Sequence, residues 1–251
     1  MTHLIRITNT VVCFAMLSYL IISTTVQAQN LYSSAQGRYD LSQFEVAASI
    51  YLLENKTFFY LASFGAVNLK VYGEYEIDKK GQVTLYPDKE LLREFHVYAL
   101  NSEVESGEIL VSFRRPRYRD ARKLKIISHE KPTQLPEFTA EDKEVSLTIK
   151  NPITQSVQLE NLFLDYHQLI KVSKNTSELR IYHNYDAHMI KELPDIYFNF
   201  KDNLLVDENG KEHKKMNLSN KIIDKLNALK ARQNIKDSFV RDGKKYQLLI
   251  D

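Results

Sequence analysis

The chain has 251 residues, 43% of them hydrophobic, with 34 Lys and Arg against 32 Asp and Glu and a formal net charge of +2. Charges so nearly balanced exclude a global field that would draw the protein to nucleic acid or to an anionic membrane, so any electrostatic recognition has to be local. A single cysteine and 7 glycines exclude an internal disulfide and argue against glycine-rich phosphate loops.

Residues 1–28 read as a secretory leader. Arg6 gives a weakly positive start, Val11 to Ile22 form an apolar run interrupted only by Ser18 and Tyr19, and Val26-Gln27-Ala28 carries the small-x-small pattern cleaved by signal peptidase. The run is shorter than the roughly 20 apolar residues of a membrane span. Cys13 lies inside it, and Gln29 rather than a lipid-accepting cysteine follows it. The expectation is therefore a cysteine-free, untethered chain from Gln29 onward, secreted or periplasmic, with no membrane span once the leader is gone.

From Gly37 the pattern is that of short strands: Gly37 to Leu41, Glu45 to Leu53, Thr57 to Ser63, Val67 to Ile77 and Val83 to Tyr86. They are rich in aromatic and β-branched residues and are divided by the turn-prone pieces Glu54-Asn55-Lys56, Gly65 and Asp78-Lys79-Lys80-Gly81. Strands at such regular spacing predict an antiparallel meander closing into a small barrel or sandwich. The leading Gly37-Arg38-Tyr39, the run Leu52-Leu53-Glu54-Asn55-Lys56-Thr57-Phe58 and the later Gly73-Glu74-Tyr75 resemble the lipocalin-like small β-domains of exported bacterial proteins, with Lys56 standing where those domains have glycine. The resemblance covers residues 37–87. It implies a fold and a compartment, and no catalytic residue.

Beyond Asp88 a second β-rich region is predicted, with strands over Phe95–Leu100, Glu108–Phe113, Arg122–Ser128, Glu144–Lys150, Val157–Leu164 and Glu178–His183. Lys131-Pro132-Thr133-Gln134-Leu135-Pro136 reads as a loop, because each proline lacks the donor a ladder needs. Ile196–Phe200 and Leu204–Val206, with a turn at Glu208-Asn209-Gly210-Lys211, predict a hairpin. Leu218, Ile222, Ile223, Leu226 and Leu229 recur at helical spacing, which predicts a helix near 218–232 with Asn217 or Ser219 as N-cap. Ser238–Val240 and Lys245–Ile250 flank Arg241-Asp242-Gly243-Lys244, a type I′ hairpin signal. The fold class read from these elements is mainly β: a lipocalin-like barrel or sandwich over 29–90, then a second β-rich domain over 91–251 with one late helix.

The densest charge lies in the stretch from Arg114 to Lys123, where Arg114, Arg115, Arg117, Arg119, Arg122 and Lys123 accompany a single carboxylate, Asp120. Guanidinium groups crowded at a hairpin tip suit bidentate capture of phosphate or carboxylate. A solvated, aggregation-resisting loop is the alternative reading. The histidines cluster at Tyr182-His183-Asn184-Tyr185-Asp186-Ala187-His188. Two imidazoles at that odd spacing point to opposite faces of a strand, so no metal ligand is assigned. In the second strand, Phe44, Val46, Ala48, Ile50 and Leu52 share one face, and Glu45, Ala47, Ser49, Tyr51 and Leu53 the other. If the sheet closes into a calyx lined by that second face, Glu45 and Tyr51 become its polar handles; if the apolar face fills the core, they look outward.

No Gly-x-Ser-x-Gly elbow, His-Glu-x-x-His or dinucleotide fingerprint is present. No catalytic residue and no cofactor is assigned. The expected role is non-catalytic binding, with an anionic envelope component or an envelope protein as partner. Two alternatives stay open: a hydrolase of envelope polymers whose site is dispersed along the chain, and a structural subunit that lends an edge strand to a partner sheet.

Overall fold

The computed structural model describes residues 31–117, 119–128, 131–161, 163–191, 197–233 and 235–249; the predicted leader, residues 1–28, lies outside them. In chain order the first strands are β1 (Gly37–Asp40), β2 (Val46–Leu52), β3 (Thr57–Phe64), β4 (Val67–Ile77), β5 (Gln82–Pro87), β6 (Phe95–Asn101), β7 (Glu108–Arg114), β8 (Lys125–Ser128) and β9 (Lys131–Gln134). They are followed by β10 (Glu144–Lys150), β11 (Ser156–Asn161), β12 (Tyr166–Lys171), β13 (Thr176–His183), helix α1 (Tyr185–Lys191), β14 (Phe198–Lys201), β15 (Leu204–Asp207) and β16 (Glu212–Met216). Helix α2 (Asn220–Gln233) and the hairpin β17 (Ser238–Arg241) and β18 (Lys244–Leu248) complete the order. The protein is mainly β, and among the described residues no helix is long and apolar enough to cross a membrane.

The chain divides into two compact units. The first holds the described residues of 31–88 and 197–232. Its strands form a closed antiparallel barrel in the order β1-β16-β15-β14-β5-β4-β3-β2, an all-β architecture compatible with a lipocalin-like domain. The barrel draws on two separated stretches of chain: β14, β15 and β16, from the region the sequence pattern grouped with the downstream domain, supply three of its eight strands.

Register explains what fills the interior. Tyr39 faces Ile50, Leu52 faces Phe58, and Ile77 faces Val83 across their ladders, and all six side chains are buried. This is the apolar face of the two-residue period, turned inward. The motif residues Tyr39 and Tyr75 are wholly buried, and their hydroxyls donate to the carbonyls of Ala35 (2.7 Å) and Leu53 (2.9 Å). Burial pushes both phenols far above their ordinary range. Tyr32, in a helical turn over 31–35, meets Tyr75 edge to face at 5.5 Å. Gly73 is required by close approach, since a Cβ there would stand 2.0 Å from the Tyr86 carbonyl oxygen. Lys56 holds the left-handed conformation at φ 65°, with its ammonium 4.9 Å over the Tyr32 ring.

The second unit holds the described residues of 89–191 and 233–249. A six-stranded sheet, β10-β7-β13-β6-β18-β17, and a four-stranded sheet, β12-β11-β8-β9, share one apolar core. Phe95, Val97, Val111 and Phe113 come from the larger sheet and Ile126, Val157, Leu159 and Ile170 from the smaller. All ladders in this unit are antiparallel except one: β13 pairs parallel with β7, aligning Ile181 with Phe113.

Several local expectations change. Residues 131–134 form the edge strand β9, not a loop, with Pro132 opposite Ile127; an edge position tolerates a residue with no donor. The predicted strand over 122–128 begins only at Lys125, after a 3₁₀ turn over Asp120–Arg122. The strand predicted over 157–164 ends at Asn161, whose side-chain oxygen accepts from the Phe163 and Leu164 N–H groups and turns the chain into β12. At the last hairpin Asp242 (φ 51°) and Gly243 (φ 75°) adopt the paired positive angles of a type I′ turn.

Candidate functional site

A cleft of about 490 Å³ opens in the second unit, and it joins the two polar clusters singled out from the sequence. The cause is the parallel ladder. Because β7 and β13 run the same way, Arg114-Arg115-Pro116-Arg117 leaves one strand beside the point where Tyr182-His183-Asn184-Tyr185-Asp186 leaves the other. β6 adds His96, the register partner of Tyr182, and Gln233 and Ile235 complete one wall.

The three arginines of the cleft differ in role. Arg115 is committed to the fold: its Nη1 donates to the carbonyls of Ala140 (2.7 Å), Thr139 (3.1 Å) and Asp142 (3.4 Å), and its backbone N–H donates to Lys143. Arg114 and Arg117 are exposed and have no hydrogen-bond or ion-pair partner among the described residues. Their guanidinium donors are turned to solvent in a cleft where Asp186 is the one carboxylate of the lining. Such donors meet phosphate or carboxylate bidentately.

Behind the cleft wall lies a buried charged group. The Glu94 side chain, 2% exposed, has Lys191 Nζ at 3.2 Å from one oxygen and His183 Nε2 at 3.5 Å from the other. Burial raises the Glu94 carboxyl, but the His183 bond and the Lys191 ammonium outweigh it and hold the group below the ordinary carboxylate range. His96 is also lowered, but here burial itself is the cause. Burial drives its imidazole down to about 4, so it is neutral, and its Nε2 donates to the Glu90 carbonyl at 3.2 Å.

The remaining sequence candidates lie elsewhere. Arg119 is exposed, Arg122 is half-buried in its 3₁₀ turn, and Lys123 sits 3.9 Å from Glu137 and 5.4 Å over the Phe163 ring; none of the three lines the cleft. His183 and His188 are parted by the strand end and helix α1, and no group of three metal-ligating side chains converges among the described residues. Glu45 occupies a turn at φ 60° and is exposed, and Tyr51 projects from the outer side of the barrel, where Arg38 lies 5.9 Å over its ring. Neither is a handle inside a calyx, because the apolar face of β2 takes the interior. Sequence reasoning missed Glu94 and His96, whose place depends on strand register rather than on spacing.

A smaller cavity of about 260 Å³ sits at one end of the barrel, lined in part by Ala48, Tyr60, Phe198 and His213. There His213 Nδ1 faces the Asp40 carbonyl at 2.7 Å and Nε2 the Asp207 carboxylate at 3.1 Å. Burial raises the Asp207 carboxyl, but the bonds from His213 and from the Lys211 and Asn209 N–H groups bring it below its ordinary range. This pair ties β16 to β1 and to the β15 end, a structural duty that accounts for its polarity.

Searches with family profiles, curated proteins and solved structures give no match to this chain.

Proposed function

We propose that the protein is an exported binding protein that takes a phosphate- or carboxylate-bearing ligand in the cleft at the ends of β7 and β13. The observation that carries this reading is the pair Arg114 and Arg117, both lining a cavity of ligand size and neither engaged by a carboxylate. Neutral His96 and the Tyr182 and Tyr185 rings give the cleft an apolar and aromatic side. One part of the ligand would stack there while its anionic group meets the guanidinium donors. Export rests on the leader pattern of residues 1–28.

Calorimetric titration at low salt with inorganic phosphate, glucose 6-phosphate and citrate tests the reading. At least one probe is expected to bind, to weaken by about tenfold or more in R114S/R117S, and to be unaffected by R119S. Absence of binding by all three probes, or unchanged binding in the double variant, overturns it. Arg115 is left intact because it holds the 139–142 segment. N-terminal sequencing of the natural product is expected to begin at Gln29, and a start at Met1 removes the export proposal.

A second reading, hydrolysis, has one specific observation in its favour: the His183 imidazole, 1% exposed behind the cleft wall, has the buried Glu94 carboxylate at 3.5 Å, the relation of a base to the group that orients it. Turnover of p-nitrophenyl phosphate or p-nitrophenyl acetate that is lost in His183→Gln would support it, and no turnover of either removes it.

A further inference from the structure

Helix α2 packs poorly for its length. In fourteen residues only Leu226 is fully buried, while Ile222 and Leu229 remain half-exposed although they face the outer wall of the barrel. Between helix and wall runs a groove of about 650 Å³. Its apolar sides are Ile222, Leu226 and Leu229 from the helix and Tyr51 and Leu61 from β2 and β3.

The charges on this groove are of one sign. Arg38, Lys70, Lys225 and Arg232 line it, and no Asp or Glu does, although the chain as a whole is nearly balanced. Lys70 and Lys225 are exposed and make no ion pair or hydrogen bond among the described residues. Arg232 spends its Nε on the Ala228 carbonyl of its own helix. Arg38 donates Nε and Nη2 to the Ser49 hydroxyl, so its charge is fixed on the wall without being neutralised. An apolar trench edged by uncompensated cations is complementary to a molecule with a long apolar tail and one anionic head.

We propose that this groove binds a single long-chain fatty acid, its alkyl chain lying between α2 and the barrel wall and its carboxylate held by Lys70 and Lys225. The occupant is a monomeric amphiphile rather than a bilayer: the groove is a trench between two elements, and a flat surface would reach its cationic edge but not its leucines. This site belongs to the barrel unit and does not depend on the cleft of the other unit.

The test is titration of the full chain with cis-parinaric acid below its critical micelle concentration, read by fluorescence. Saturable binding at one site per chain is expected, with palmitic acid displacing the probe and hexadecanol displacing it about tenfold less well. K70E/K225E is expected to weaken binding by about tenfold, and Ala47→Trp, placed on the exposed outer face of β2 in the groove, to abolish it with an unchanged circular dichroism spectrum. R114S/R117S is expected to bind the probe as the parent does, which separates this result from the fate of the cleft. The proposal is overturned by absence of saturable binding, by equal displacement with the alcohol, by full binding in both groove variants, or by binding only to anionic vesicles of phosphatidylglycerol.

Discussion

The two units spend their polar residues in opposite ways. The barrel buries Tyr39 and Tyr75 and satisfies both hydroxyls with backbone carbonyls, so its own side chains occupy that interior. The sandwich keeps an apolar centre of aliphatic and phenylalanine side chains and gathers its ionisable groups at the ends of two parallel strands and on the outer face of the larger sheet. There Arg180 grips both oxygens of Glu144 at 3.1 and 3.0 Å, and Glu178 accepts from Lys244 and Tyr246 at 2.6 Å each. The ligand-sized polar cleft of the second unit lies where two parallel strands end side by side.

Four changes would break or sharpen this contrast. The largest effect is expected for Phe95→Ala, which removes a wholly buried ring in contact with the Phe113, Tyr166 and His183 rings; the cost is about 4 kcal/mol. Hydrogen exchange read by peptide should then show lost protection in β6, β7 and β13. Gly73→Ala should strike the barrel instead, at about 3 kcal/mol, because the new Cβ meets backbone at the Tyr86 carbonyl and the Pro87 Cα. Equal loss of protection in both units in either experiment would show that they do not behave as separate cores.

Acid should separate the units by a comparable amount. The His96 imidazole is depressed from 6.5 to about 4 by burial. As pH falls, the unfolded chain therefore takes up its proton first. The contribution of neutral His96 is complete above about pH 6.5 and is lost progressively down to about 4, a span worth roughly 3 kcal/mol. Glu94, also depressed in the fold, adds to the loss as pH falls further through its own titration. Denaturant melts of His96→Gln should be flatter over the window from 6.5 to 4 than those of the parent, and parallel curves would remove this assignment. The smallest effect is expected for Tyr39→Phe, about 1 kcal/mol, from one buried hydroxyl and the Ala35 carbonyl it leaves without its donor.

Much of the barrel was legible because a two-residue period with one face inward is a local property. β4 lies where its alternation places it, from Val67 to Ile77, and Asp78-Lys79-Lys80-Gly81 turns as its composition requires, with Asp78 accepting from the Lys80 and Gln82 N–H groups. Helix α2 follows its leucine spacing. β16 was not legible: Glu-His-Lys-Lys-Met carries one inward residue, His213, and apolar alternation has nothing to grip there. β12 was hidden behind the early turn at Asn161. The cleft was half legible. Each of its two clusters stands out along the chain, but their meeting depends on one parallel ladder, and no spacing within either segment encodes a pairing between strands so far apart.

β5 and β14 are hydrogen-bonded neighbours in the barrel, yet the chain between them, residues 88–197, is spent largely on the other unit. β18, which pairs with β6, comes after both. During vectorial synthesis the ribosome therefore delivers an unfinished meander with β1 and β5 as bare edges, then most of a sandwich, before either is sealed. Closure of the first waits for Met216 and completion of the second for Leu248. A chain that ends before β14 would present unpaired backbone on two sides, at β1 and at β5.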